Sequence, residues 1–303
     1  MSRSVAIVIV NWNQQALTEE CFKSLQKVKY LNFKVILVDN GSIDGSIEYL
    51  MKKFPNNHYI LSKKNLGFSG GNNLGIKYAL DEGFEYVYLL NNDTEVDPLF
   101  LNEIVLELEK DKNIGVAGST VFYYKPSDII WYAGGHANWI SGDMVDPRIG
   151  NKLDLNKHST EDVDEVAGAG MIIRSKALKE VGLLDERFFI YFEETDLCQR
   201  IIKKGYRVIW APKSKVWHKV SMAFGEHSPV MIYLMTRNRF LFMKKHSSKF
   251  VLFILHYFLR SFKFFIDYSI NNKPVLRKAL LLGLRDALMN KSGKGELENL
   301  RKI

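Results

Sequence analysis

The sequence predicts an α/β fold: a doubly wound sheet with flanking helices, followed by a helical tail rich in basic and aromatic residues. Three observations predict it. Apolar, β-branched runs of strand length alternate with stretches of helical period. The strand candidates of the first half end in polar clusters. The charge also divides sharply: residues 237–303 hold 15 Lys and Arg against 4 Asp and Glu, while residues 1–236 hold 27 against 30. A chain of 303 residues can bury a substantial core, as one large domain with an appendage.

"SVAIVIV" (4–10) and "FKVILVD" (33–39) read as strands, and "ALTEECFKSLQKV" (16–28) between them sets Leu17, Cys21, Leu25 and Val28 on one helical stripe. Such a unit implies parallel pairing with a right-handed crossover. "HYILS" (58–62) is a third strand, "NNLGIKYALDEG" (72–83) a helix with a Gly stop, and "YVYLL" (86–90) a strand. "LFLNEIVLELEKD" (99–111) is a helix and "IGVAGSTVFY" (114–123) a strand. Residues 124–165 have glycines, prolines and aromatics but little period, and read as loops and short strands lining a pocket. "VAGAGMIIRS" (166–175) is a strand with a Gly-rich entry, "KALKEVG" a short helix, "EETDLCQRIIKKG" (193–205) a longer helix and "YRVIWAP" (206–212) a strand. The expected organisation is a catalytic domain over 1–236, with a nucleotide half to about residue 123, and a helical segment over 237–303.

In doubly wound sheets ligands bind outside the carboxyl ends of the strands. Here those ends are "NWN" (11–13), "DNGSIDGS" (39–46) and "NNDT" (91–94). One polar strand end is a turn; three on one edge make a site. Cys21 and Cys198, the only cysteines, suit a reducing compartment rather than a disulfide scaffold. "MSRSVAIVIVNWN" lacks the longer apolar region and cleavage site of a signal peptide and reads as a first strand. In the tail, "KFVLFILHYFLRSFKFFIDYSI" (249–270) is strongly apolar but broken by His256, Arg260, Lys263 and Asp267, which argues against a spanning helix and for one lying in a membrane interface.

Seven stretches in order, "IVIVNWN", "VDNGSIDGS", "NLGFSGGNNLG", "LLNNDTEV", "GAGMIIR", "FFIYFEETDLCQR" and "VWHKVSMA", resemble the inverting glycosyltransferases of family two, closest to the rhamnosyltransferase-like and galactofuranosyltransferase-like members. The resemblance runs from about residue 4 to about 245 and implies a GT-A fold with a mixed sheet. It implies that Asp39 accepts the ring N–H of the donor's uracil or thymine, a role open to a carboxylate acceptor. Asn11, Asn13, Asn65, Gly67, Phe68, Asn72 and Asn92 join it in the donor nucleotide set. The glycine loop lacks the lysine of a P-loop. "NNDT" falls at the family's acidic metal motif, so Asp93 is the expected ligand of a divalent cation (Mn²⁺ or Mg²⁺). Asn91 stands where the motif usually has an acid, and His218 is a further ligand. Glu194 matches the second member of the family's acidic pair and is the expected general base for the acceptor hydroxyl. Glu193, Asp196 and Arg200 surround it, and Gly168 and Gly170 leave room for an acceptor sugar. Trp131, Trp139 and Trp217 are candidates for sugar stacking, with core packing the plainer role for each.

The implied partners are a nucleotide-diphosphate sugar, dTDP-rhamnose or a UDP-sugar, and a glycan or lipid-linked acceptor in cell-surface polysaccharide synthesis. The tail is expected to hold the protein peripherally on the cytoplasmic face of the membrane; packing on the catalytic domain or a homodimer contact is the alternative. Nucleic acid is disfavoured because the positive charge sits in an aliphatic, Phe-rich segment. A nucleotidyltransferase would show a basic Gly-rich loop after the first strand, where this chain has "NWNQQ". A membrane or glycan-binding module without catalysis is the remaining alternative.

Overall fold

Strand β1 (Val5–Asn11) lies inside the sheet, with its apolar run buried. The computed structural model describes residues 2–219 and 228–301; Val220 to Ala223 of "VWHKVSMA" therefore lie outside the described residues. The first half runs α1 (Gln15–Leu25), β2 (Phe33–Asp39), α2 (Ser46–Lys53), β3 (His58–Leu61), α3 (Gly67–Asp81), β4 (Tyr86–Asn91), β5 (Thr94–Val96), α4 (Phe100–Lys110) and β6 (Ile114–Tyr123). Next come β7 (Ile130–Tyr132), β8 (His136–Asn138), β9 (Asp143–Val145), β10 (Glu161–Asp162), β11 (Gly170–Arg174), α5 (Ser175–Val181), α6 (Glu193–Lys203) and β12 (Arg207–His218). The tail is α7 (Pro229–His246), α8 (Phe250–Ile270), α9 (Pro274–Leu288) and α10 (Leu297–Arg301).

The sheet order is β10-β12-β6-β11-β4-β1-β2-β3. β3, β2, β1 and β4 are parallel, as the strand–helix–strand reading requires. β11 enters antiparallel between β4 and β6, so the sheet is mixed. The sheet is buried on both faces: Ile7, Ile9 and Leu37 meet one cluster of side chains, Val8, Val38 and Leu89 the other. These strands are accordingly apolar without alternation.

Four differences from the sequence reading have physical causes. Helix α2, over residues left unassigned between the polar strand end at 39–46 and the strand at 58–62, buries Ile47 and Leu50 behind a left-handed Gly45. Helix α3 begins at Gly67 rather than Asn72, because its glycines let it lie on the sheet: a Cβ on Gly71 would stand 2.9 Å from Val10 Cγ1, and one on Gly75 2.3 Å from Val8 Cγ1. Tertiary packing overrides the poor helix propensity of glycine. Strand β12 does not stop at Pro212; its register shifts between Ala211 and Lys215 and the strand continues to His218. Finally, α7 runs through the expected boundary at residue 236, and its apolar residues pack on the loop before α6.

Candidate active site

Asn11, Asp39 and Asn91 end adjacent parallel strands, so the sheet itself gathers them at one edge. Beside them opens a cleft walled by Trp12, Asn40, Asn65, Phe68, Asn92, Asp93 and Phe189 among others. Asn11 is fully buried: its Nδ2 donates to Asp39 Oδ1 (3.3 Å) and Ser46 Oγ (3.0 Å), and its Oδ1 accepts from Thr18. It therefore braces Asp39 rather than meeting a ligand itself. Asp39 also accepts the Ser42 N–H at 3.0 Å, so it caps its own turn while each carboxylate oxygen keeps a lone pair. Asn13 holds the same turn by accepting from the Ile43 N–H. Asn40, which the sequence reading passed over, pins the glycine loop: it donates to the Gly67 carbonyl and accepts from the Leu66 N–H. Asn65 caps Gly67, which is left-handed and has no room for a Cβ, 2.4 Å from the Phe189 carbonyl oxygen. Asn72 is buried, donating to the Phe68 carbonyl, and Asn92 donates to Gln14 and Thr18; both act here as braces.

The expected metal residues meet. Pairing of β12 with β5 sets His218 across from Thr94, and the Lys219 N–H reaches the Asp93 carbonyl. This carries His218 Nε2 to 3.1 Å from Asp93 Oδ1, with the Asn91 carboxamide nitrogen 3.3 Å from the same Nε2. Both Asp93 and His218 are buried. Among the described residues no three His, Cys, Asp or Glu side chains are grouped to hold a metal. His218 Nδ1 is buried without a partner, and the Trp131 ring lies edge-on to the imidazole at 4.6 Å. A carboxylate, an imidazole and an amide fit a divalent cation that draws its other ligands from phosphate and water.

Two carboxyl groups open α6, and a third from before β11 faces them. Glu193 is buried, and Glu193 Oε2 and Glu194 Oε2 are both buried atoms without partners. Burial pushes the Glu194 carboxyl above the ordinary range, and burial plus the neighbouring Glu194 pushes Glu193 well above it. The third is Glu165, not singled out from sequence, which accepts from Tyr132 and Thr195 hydroxyls. Burial, then the Glu194 charge, raises it to about 8. Gly168 stands between this group and the cleft: a Cβ on it would lie 3.0 Å from Phe68 Cζ and 3.8 Å from Glu194 Cβ. Small size there brings the aromatic wall against Glu194.

Other expected residues do structural work. Asp196 receives Arg200 Nε (2.8 Å), His246 Nε2 (2.7 Å) and Lys245 Nζ (2.6 Å); burial alone would raise its carboxyl, but these bonds hold it below the usual range. Arg200 otherwise donates to the Val181 and Leu183 carbonyls. Neither reaches towards an acceptor. Gly170 lies in β11 against Tyr88. Trp139 stacks on Phe242 and Trp217 on Phe122, so both are packing residues.

The family model described as glycosyl transferase family 2 matches residues 6–182. The chain is 26% identical over 243 residues to the low-salt glycan biosynthesis hexosyltransferase Agl10 of Haloferax volcanii, covering 80% of this chain and 76% of that one. It is 24% identical over 243 residues to N-acetylglucosaminyl-diphospho-decaprenol L-rhamnosyltransferase of Mycobacterium tuberculosis, covering 74% and 79%. Among solved structures, the mannosyltransferase PcManGT of Pyrobaculum calidifontis, in complex with GDP-Man and Mn²⁺, is alike in fold, with a TM-score of 0.58 at 14% identity over 99% of this chain and 80% of that one.

Proposed function

The chain belongs to glycosyl transferase family 2, and from that premise we propose that it moves a sugar from a nucleoside-diphosphate sugar, dTDP-rhamnose or a UDP-sugar, to a glycan or lipid-linked acceptor with inversion at the anomeric carbon. One observation carries this reading. Glu194, with a buried, unpartnered carboxylate oxygen, lies one glycine away from the aromatic wall of a cleft lined also by Asp93, whose carboxylate meets His218.

Glu194 takes the proton of the acceptor hydroxyl at Oε2 as that oxygen attacks. Burial raises the basicity of this carboxylate and suits it to the task. Asp39, oriented by Asn11 and the Ser42 N–H, accepts the ring N–H of the base. Asp93 and His218, with the Asn91 carboxamide, would hold a divalent cation, Mn²⁺ or Mg²⁺, which when bound neutralises charge growing on the departing diphosphate. Phe68 and Phe189 supply apolar walls to the cleft. The lipid-linked acceptor is favoured by the tail. Val251, Leu255, Leu259, Phe262, Ile266 and Ile270 form one exposed stripe of α8, and Lys249, Lys263 and Lys273 flank it. No helix among the described residues is long and apolar enough to cross a membrane. The stripe instead suits peripheral seating on an anionic leaflet of the membrane's cytoplasmic face, with apolar side chains in the interface and lysines among the headgroups.

The reading is tested by thermal shift with a panel of nucleotide sugars, with and without Mn²⁺. A stabilising donor is then taken through transfer, and the product's anomeric configuration is read by NMR. Ligand binding to the folded state raises Tm by mass action. We expect a uridine or thymidine diphosphate sugar to stabilise only with the cation, and the product to be inverted. Retention of configuration, or a shift from no nucleotide sugar, overturns it.

A further inference from the structure

We infer that Asn238 is a positioning residue that holds the base of the reaction, an inference that rests on Glu194 being that base. The loop before α6 contains three non-glycine residues in the left-handed region: Phe189 (φ 68°), Tyr191 (φ 71°) and Phe192 (φ 75°). Side-chain-bearing residues rarely adopt it, and such a run persists only where surrounding contacts over-determine it. Here those contacts centre on one carboxamide. Asn238, on α7 and fully buried, lies with its Nδ2 2.9 Å from each of the Phe188, Ile190 and Tyr191 carbonyl oxygens. Its own Oδ1 accepts from Arg237 Nε at 2.9 Å, which fixes which way the amide faces, and Arg237 Nη2 adds a bond to the Phe188 carbonyl at 3.2 Å.

The clamped loop has two functional ends. At one, Phe189 and Ile190 wall the cleft, and the Phe189 carbonyl accepts the Ser69 N–H and closes on Gly67. At the other, Phe192 is the residue from which α6 starts, and its carbonyl accepts the Asp196 N–H at 2.9 Å. The backbone angles of Tyr191 and Phe192 therefore aim Glu193 and Glu194. A carboxylic acid at position 238 would turn an oxygen towards three carbonyls, and alanine would take this donor from the Ile190 and Tyr191 carbonyls and leave the Phe188 carbonyl to Arg237 and the Ile190 N–H. Asn238 touches no reacting atom; it acts through the loop.

The experiment compares Asn238→Ala with Glu194→Gln by kcat, by the pH profile of kcat and by hydrogen exchange of the amides of 189–195. For Asn238→Ala we expect kcat to fall by about 10²-fold, the size of effect that a displacement near 1 Å produces. Exchange across 189–195 should rise. The acid limb should move to lower pH as water reaches Glu194. Glu194→Gln should lose turnover with exchange unchanged, so an active Glu194→Gln removes the base assignment while exchange still reports on the clamp. Tyr191→Gly, which takes the left-handed conformation without strain, should reduce the loss caused by Asn238→Ala. Wild-type kcat, or unchanged exchange, in Asn238→Ala overturns the proposal. So does failure of Asn238→Ala to fold even when combined with Tyr191→Gly.

Discussion

Glu165 is the residue whose environment departs furthest from its sequence context. "DVDEVAGAG" reads as a small-residue lining, yet the structure sets a buried carboxyl there, bridged by Tyr132 and Thr195 and facing the Glu194 charge. Its folded value of about 8 lies above the ordinary 4.5, so between those values the folded chain holds more protons than the unfolded one. The stability this contributes is complete below the unfolded value and is lost as pH rises through the folded one. Glu165→Gln, neutral at every pH, should therefore flatten the fall in Tm between pH 5 and pH 8, with an upper bound of about 4 kcal/mol on the difference between the two ends. Parallel Tm curves for the variant and the parent would show that Glu165 does not titrate in that window. The same scale explains what was legible. Asp39, Asp93 and Asn91 stood out because polar residues closing apolar strands are conspicuous in a one-dimensional reading, whereas His218, beyond a strand read to stop at Pro212, entered only through the family resemblance. Glu165, Asn40 and Asn238 did not stand out, because their roles depend on partners far away in the chain.

Among the elements, strands and long amphipathic helices were readable, and the misses share a cause. Helix α2 is only eight residues long, β12 passes a proline by shifting register, and α3 is helical from Gly67 because contact with β1 demands glycine there. Each is a case of packing overruling a local signal. The claim for α3 can be checked at Gly75. A methyl group added there would stand 2.3 Å from Val8 Cγ1 on a central, fully buried strand that has nowhere to move. Overpacking of this kind costs about 1–3 kcal/mol, against a gain of about 1 kcal/mol in helix propensity. Gly75→Ala is expected to be net destabilising in urea unfolding at unchanged m-value. Equal or greater stability would mean that α3 can slide on the sheet and that the glycine pattern has another origin.

For the whole molecule, the tail is neither a separate appendage nor wholly covered. One side of it is core: Phe240, Phe242, Phe253 and Tyr257 pack with Phe188 and Phe192, and Tyr233 hydrogen-bonds Asp286 between α7 and α9. Cutting the chain near residue 245 would strip that core and the His246 bond to Asp196, so the membrane claim is better tested by substitution on the exposed side. Leu255→Glu with Leu259→Glu should leave Tm near that of the parent and abolish flotation with anionic vesicles at low salt. Undiminished flotation would remove α8 as the membrane contact, and a change from dimer to monomer in the variant would make the stripe an assembly surface. The central claim, however, is a division of labour between a cleft that holds the donor and a carboxylate that activates the acceptor. The most direct test is the turnover of Glu194→Gln, with nucleotide affinity measured on the same sample. We expect a rate lower by about 10²–10⁴-fold with affinity for the nucleoside diphosphate and cation unchanged. Turnover at the parental rate, or loss of nucleotide binding together with turnover, would contradict that claim.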